Sequence, residues 1–169
     1  MSCRTPKRYL VTIILLAAFT TEIGAQRRPA GEAQVKQAIQ VSLKVGGQTY
    51  HSSEPGSCTH APVASIYQIM SEMWSVQQSQ QAGSLSLSFW RPKDGSADMV
   101  TLSVSTGDSS HEVSTVRGGR TTSGSGKVTL AKSGNGGTFT VEAKSKDGAP
   151  ITGTITCKTF APHAAEGGL

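Results

Sequence analysis

An all-β fold follows from three features of this chain: short runs that alternate apolar and polar residues, turns built on Gly, Asp and Pro between them, and serine or threonine at most of the polar positions. Alternations recurring at about 10 to 14 residues specify an antiparallel β-sandwich or a partly open barrel of about eight strands. The hydroxyl-bearing positions are those of sheets wetted on one face.

The first alternation sets Val41, Leu43 and Val45 against Ser42 and Lys44 and ends at Gly46-Gly47, a strand entering a hairpin whose return carries Tyr50. His51 to Pro62, with Glu54-Pro55-Gly56 and Ala61-Pro62, reads as a loop pinned by Cys58. Over Ser65 to Ser75 two patterns compete. Ile66, Ile69, Met70, Met73 and Trp74 recur at helical spacing, which predicts one short helix near residues 65–74. The competing pattern is a strand beginning at Met73, with Gln77 to Gly83 as a polar loop, and the expectation is a short turn or helix followed by that strand.

The later elements alternate plainly. Leu85, Leu87 and Phe89 lead into the turn Pro92-Lys93-Asp94-Gly95, and Val100, Leu102 and Val104 end at Thr106-Gly107-Asp108. Val113 and Val116 mark a third strand whose odd spacing indicates a bulge. Val128 and Leu130 follow, then Asn135-Gly136, a pair suited to a type I′ hairpin turn, and then Phe139, Val141 and Ala143. After Asp147-Gly148-Ala149-Pro150, the last strand places Ile151, Gly153, Ile155 and Cys157 on one face, so the Cys157 sulfur is expected in the core.

Ahead of the domain, Arg4, Lys7 and Arg8 precede an apolar run from Tyr9 to Phe19, and small residues close at Gly24-Ala25. That pattern predicts a secretory signal peptide over residues 1–25, its apolar run too short for the roughly 20 residues that span a bilayer. Residues 26–38 read as a flexible lead-in, 39–160 as a single β-sandwich domain, and 161–169 as a disordered tail. Ala25 is followed by Gln26, where a lipid-anchored bacterial protein would carry a cysteine. The expected product is therefore secreted or periplasmic, without a membrane anchor after cleavage.

Removing the leader takes Cys3 and leaves Cys58 and Cys157, an even pair that an exported chain is expected to join as a disulfide. It also takes three basic residues against one acidic, Glu22, so the formal charge of +5 overstates the basicity of the mature chain. The remaining cations are dispersed and not interleaved with aromatics, which argues against nucleic acid as a partner.

No constellation has the spacing of a known chemistry. The nucleophile-elbow pattern Gly-x-Ser-x-Gly is absent, and its nearest approaches, Gly107 to His111 and Gly124-Ser125-Gly126, miss it. His51, Glu54 and His60 around Cys58 are weak metal candidates, set too far apart on a loop for the usual ligand spacing. Trp74 and Trp90-Arg91 are candidate ligand-binding residues, as stacking platforms for a glycan, against the alternative of core packing. No cofactor is called for.

In outline the chain resembles the mycobacterial secreted lipoprotein antigens of the LpqH type. The resemblance rests on the Val41-x-Leu43-x-Val45-Gly46-Gly47 hairpin, Cys58 soon after it, a serine- and glycine-rich middle, and the final strand Ile151 to Cys157. It covers residues 41 to 157 and implies fold and export; it carries over no catalytic residue, and the lipid-accepting cysteine is missing here. The function expected is thus non-catalytic binding, or a structural role, with a protein or glycan partner of unknown identity. The alternatives are a small secreted hydrolase or metalloenzyme using His51, Glu54, His60 or His111, and a carbohydrate-binding module.

Overall fold

The structure is a computed structural model describing residues 36–80, 83–118 and 122–165. The leader, most of the lead-in and residues 166–169 lie outside them. The described residues are all strand and turn, without a helix. In chain order the strands are β1 (Gln37–Ala38), β2 (Gln40–Val45), β3 (Gln48–Ser52), β4 (Pro55–Ile66), β5 (Ile69–Gln80), β6 (Gly83–Pro92), β7 (Met99–Thr106), β8 (Ser109–Ser114), β9 (Ser125–Ser133), β10 (Gly136–Lys144), β11 (Pro150–Cys157) and β12 (Ala161–Pro162). They form two sheets, one in the order β1-β4-β5-β6-β7-β8 with β12 also on β4, the other β3-β2-β11-β10-β9. The sheets pack face to face as a β-sandwich, and its inner faces are the alternating apolar residues read from the sequence: Val41, Leu43 and Val45, Leu85, Leu87 and Phe89, Val100, Leu102 and Val104, and Phe139, Val141, Ile151 and Ile155.

Twelve strands stand where about eight were expected, and each extra piece has a physical cause. The helix expected near 65–74 is a hairpin instead: β4 ends at Ile66, Tyr67 and Gln68 turn, and β5 starts at Ile69. A two-residue loop makes residues i and i+3 direct cross-strand partners, as Ile66 and Ile69 are, so a tight hairpin imitates helical spacing in a sequence. The supposed loop from His51 to Pro62 is the end of β3 and most of β4. Pro55 opens β4 and Pro62 lies in a bulge between Ala61 and Ala64, the two kinds of place a strand accepts proline. Gly56 belongs there because a Cβ would come within 2.4 Å of the Gln77 carbonyl oxygen and 2.5 Å of Ile39 Cδ1.

Gln77 to Gln80, also expected as loop, continue β5. Gln78 points inward and is only 2% exposed, with its amide donating to the Glu54 carbonyl (2.7 Å) and the Ile39 carbonyl (3.3 Å) and its oxygen accepting from Tyr50 Oη (3.4 Å) and the Gln80 amide (3.0 Å). A buried amide with every bond made is compatible with a strand, though in sequence it looks like a loop residue. Burial raises the Tyr50 phenol above its ordinary pKa, so the network is neutral.

Three smaller expectations are also corrected. β8 ends at Ser114, and Val116 is buried beyond the strand; its neighbour Thr115 is held to Val100 by two backbone-directed hydrogen bonds. The β9–β10 turn is Gly134-Asn135, with Gly134 at φ 56° and Asn135 not left-handed, so glycine takes the first position, as a type II′ turn requires. The lead-in and tail are tied down in part: β1 pairs with β4 at Gly56 and Pro55, β12 runs parallel to Thr59 and His60, and the His163 amide donates to the His60 carbonyl.

Cys58 on β4 and Cys157 on β11 form a disulfide with Cα atoms 6.2 Å apart and a sequence separation of 99. It joins the two sheets through the core, where both residues are buried.

Candidate functional site

The functional features gather at the end of the sandwich where β4, β5 and β6 outrun the opposite sheet. The inner face of this overhang carries the row His60, Trp74, Phe89, and beyond it the cross-strand pair Glu72 and Arg91. The facing sheet contributes Lys132 from the end of β9 and Asn135 from its turn, and the chain after β11 adds Thr159 and Phe160. A cavity of about 460 Å³ lies among His60, Trp74, Lys132, Asn135 and Phe160.

Trp74 is the centre of this cluster and is fully buried. His60 stacks on it at 4.6 Å between ring centroids, Lys132 Nζ lies 5.0 Å from the ring centroid and the Arg91 guanidinium carbon 5.6 Å. Such cation–ring contacts contribute about 0.5–1 kcal/mol each where water reaches them. A sugar cannot stack on a ring so covered. Lys132 occupies an inward-facing position on the edge strand β9, a placement that also discourages pairing with another chain.

His60 Nε2 and Trp74 Nε1 are buried without a hydrogen-bond partner among the described residues, and the nearest carboxylate oxygen to His60 Nε2, on Glu72, is 3.6 Å away. Burial lowers the His60 pKa, with Lys132 acting in the same direction and Glu72 opposing, so the ring is held neutral. Arg91 is ion-paired to Asp98 at 3.3 Å.

The overhang ends in the free tip of the β4–β5 hairpin. β6 stops at Pro92, opposite Ser71, and Lys93 holds Met70 by one backbone bond, so Ser65 to Met70 extend past the neighbouring strand by about 10 Å at the rise of a β-strand. Val63, Tyr67 and Met70 are the exposed large hydrophobics among the described residues, at 36%, 58% and 44%. All three belong to this hairpin. Tyr67 (φ 47°) and Gln68 (φ 67°) are also, among the described residues, the non-glycine residues with positive φ, a conformation costing about 1–2 kcal/mol for an ordinary side chain. Gly118 packs beneath the tip, where a Cβ would come within 3.1 Å of Tyr67 Cβ.

The other sequence candidates are scattered. His51 and Glu54 border a polar surface hollow at the opposite end of β4, with Ser52, Gln80 and Thr154, so the structure does not bring His60 to them. No group of three or more His, Cys, Asp or Glu placed to hold a metal occurs among the described residues. His111 pairs with Asp147 at 3.2 Å and ties β8 to the turn after β10, beside a backbone bond from the Lys146 amide to the Glu112 carbonyl. No histidine side chain is hydrogen-bonded to a serine, threonine or cysteine among the described residues.

Trp90 lies half-buried on the outer face, in an apolar row Ala61, Met73, Trp90, Met99 that crosses four strands. Next to that row runs one of hydroxyls alone: Thr59, Ser75, Ser88, Thr101 and Ser114. The hairpin tip and Lys132 were not singled out from sequence. The available signal was the absence of any charge from Ala61 to Ser71, which the helical reading absorbed as one face of a helix. No family model, curated protein or solved structure matches the chain. No helix among the described residues is long and apolar enough to cross a membrane.

Proposed function

We propose that the chain is exported and serves outside the cytoplasm as a non-catalytic binding protein whose contact surface is the free end of the β4–β5 hairpin. The observation that carries this reading is a coincidence: the two most exposed large hydrophobics among the described residues, Tyr67 and Met70, and the strained non-glycine backbone occupy one tip. Strain held at a position as exposed as Tyr67 serves contact more readily than folding. The inter-sheet disulfide supports the extracytoplasmic address. A photo-activatable phenylalanine analogue at position 67, with the same group at position 51 as control, tests it in cells that export the protein. Adducts from position 67 and none from position 51 are expected; equal labelling, or none, overturns the reading.

A second reading, glycan binding, is favoured by Trp90 at the border of the hydroxyl-lined outer face. Retardation in polysaccharide gels that Trp90→Ala abolishes is its test, and mobility unchanged by the polysaccharide rejects it.

A further inference from the structure

We infer that the β4–β5 tip inserts into the boundary between headgroups and acyl chains of a lipid bilayer, with Tyr67 and Met70 immersed and Lys93, at the root of the tip, against lipid phosphates. The inference rests on the reading that this tip is the contact surface, and it names the partner. Shape favours a lipid surface over a folded protein. The tip is a narrow two-residue turn with Gly118 against one side of Tyr67, and a bilayer interface yields to such a turn where a protein would need a matching pocket.

Its chemistry agrees. Residues 61 to 71 carry no charge, and tyrosine has the apolar body and polar end that suit the headgroup level. The free length of about 10 Å matches the depth of about 5–10 Å reached by interfacial elements. It is far too short to span, and the unpaired strand edges at the tip need the water that the headgroup region still holds.

The charges behind the tip are complementary to anionic headgroups. Four cations, Arg91, Lys93, Arg117 and Lys132, face three carboxylates, Glu72, Asp94 and Asp98. Two of the carboxylates are engaged within the chain, Asp98 by Arg91 and Asp94 by the Ser96 amide at 2.9 Å with Arg117 nearby, while Glu72 lies 3.6 Å from the neutral His60. Lys93 forms no ion pair with a described residue, whereas the Lys132 ammonium lies over the Trp74 ring. An Asn-Gly pair would close the turn without strain, but it would remove the aromatic ring from the tip.

Co-sedimentation of the protein, purified after export, with vesicles of phosphatidylcholine alone and of phosphatidylcholine mixed with an equal part of phosphatidylglycerol tests this. The protein should sediment with both and more with the mixture. Tyr67→Ser with Met70→Ser should weaken both by about tenfold or more, the effect of losing one buried large side chain. Tyr67→Asn with Gln68→Gly should weaken binding while raising the thermal midpoint, which a purely structural role for Tyr67 would not produce. Lys93→Gln should reduce only the preference for phosphatidylglycerol.

Absence of sedimentation with either vesicle overturns the inference, as does sedimentation that Tyr67→Ser with Met70→Ser leaves intact. A dimer in lipid-free buffer that this double variant dissolves assigns the tip to a second copy and also overturns it. Position-67 adducts that persist while vesicles are refused remove the lipid partner and leave the contact surface standing; loss of both removes both.

Discussion

The two halves of the β4–β5 hairpin obey different rules. In the inner half, Cys58, His60 and Trp74 face the opposite sheet, and Trp74 is fully buried and ringed by His60, Lys132 and Arg91. In the outer half, seven positions from Trp74, Tyr67 is the most exposed large hydrophobic among the described residues, on a backbone it adopts at a cost. Folding accounts for the first half, because each residue there is buried or packed. It does not account for the second, and that contrast is the ground on which the tip is proposed as a contact surface.

The largest effect should come from breaking the inner half. Replacing Cys58 and Cys157 with alanine opens a loop with a sequence separation of 99, for which the chain-entropy model assigns up to about 4–5 kcal/mol. Thermal unfolding should shift down by about 10–20 °C. Reduction of the unmutated protein should shift it similarly, and the tip variants should leave the disulfide-dependent part unchanged. A midpoint indifferent to reduction would mean that the two sheets hold together without the bridge.

A smaller effect of opposite sign belongs to the outer half. Three other two-residue hairpin loops, Gly46-Gly47, Gly107-Asp108 and Gly134-Asn135, each begin with a left-handed glycine, and Tyr67-Gln68 has none. Tyr67→Asn with Gln68→Gly should therefore stabilise the fold by about 1 kcal/mol, two relieved left-handed residues less the entropy of a new glycine. Urea unfolding reads this directly. A loss of stability would show that Tyr67 packs for the sake of the fold, through its contact with Gly118, and would dissolve the contrast between the halves.

The same contrast explains what was legible in the sequence. Strands such as Val41 to Val45, Leu85 to Phe89 and Phe139 to Ala143 have one buried face and show it by alternation, so the sandwich, its core and the Cys58–Cys157 bridge could all be read. β4 and β5 could not. They carry apolar residues on both faces, Trp74 inward and Met73 outward, so alternation disappears, and the two-residue turn leaves helical spacing in its place. Gln78 hides a strand by being buried and polar. The site itself was beyond reach for another reason: Lys132 and Trp74 meet across two sheets, and Tyr67 is notable only for exposure and backbone conformation, neither of which is written locally.

His60, at the seam between the halves, supplies the smallest and most specific effect. Its pKa is lowered by burial, with Lys132 adding to the shift and Glu72 and the stacked Trp74 completing its surroundings. The folded state thus binds the His60 proton less readily than the unfolded chain. Stability from this group is present above the unfolded value near 6.5 and is lost as pH falls from there through the lower folded value, with a slope that cannot exceed about 1.4 kcal/mol per pH unit. Asp94 and Asp147, lowered chiefly by hydrogen bonds from Ser96 and Ser145, act in the more acid range of carboxylates and leave this window clear. Urea unfolding followed between neutral and mildly acid pH should show the decline, and His60→Gln should flatten it. Because protonation puts a charge against Trp74 at the root of the hairpin tip, the loss should appear first as increased hydrogen exchange in β4 and β5, while β10 and β11 keep their protection; uniform loss across both sheets would place the titration elsewhere.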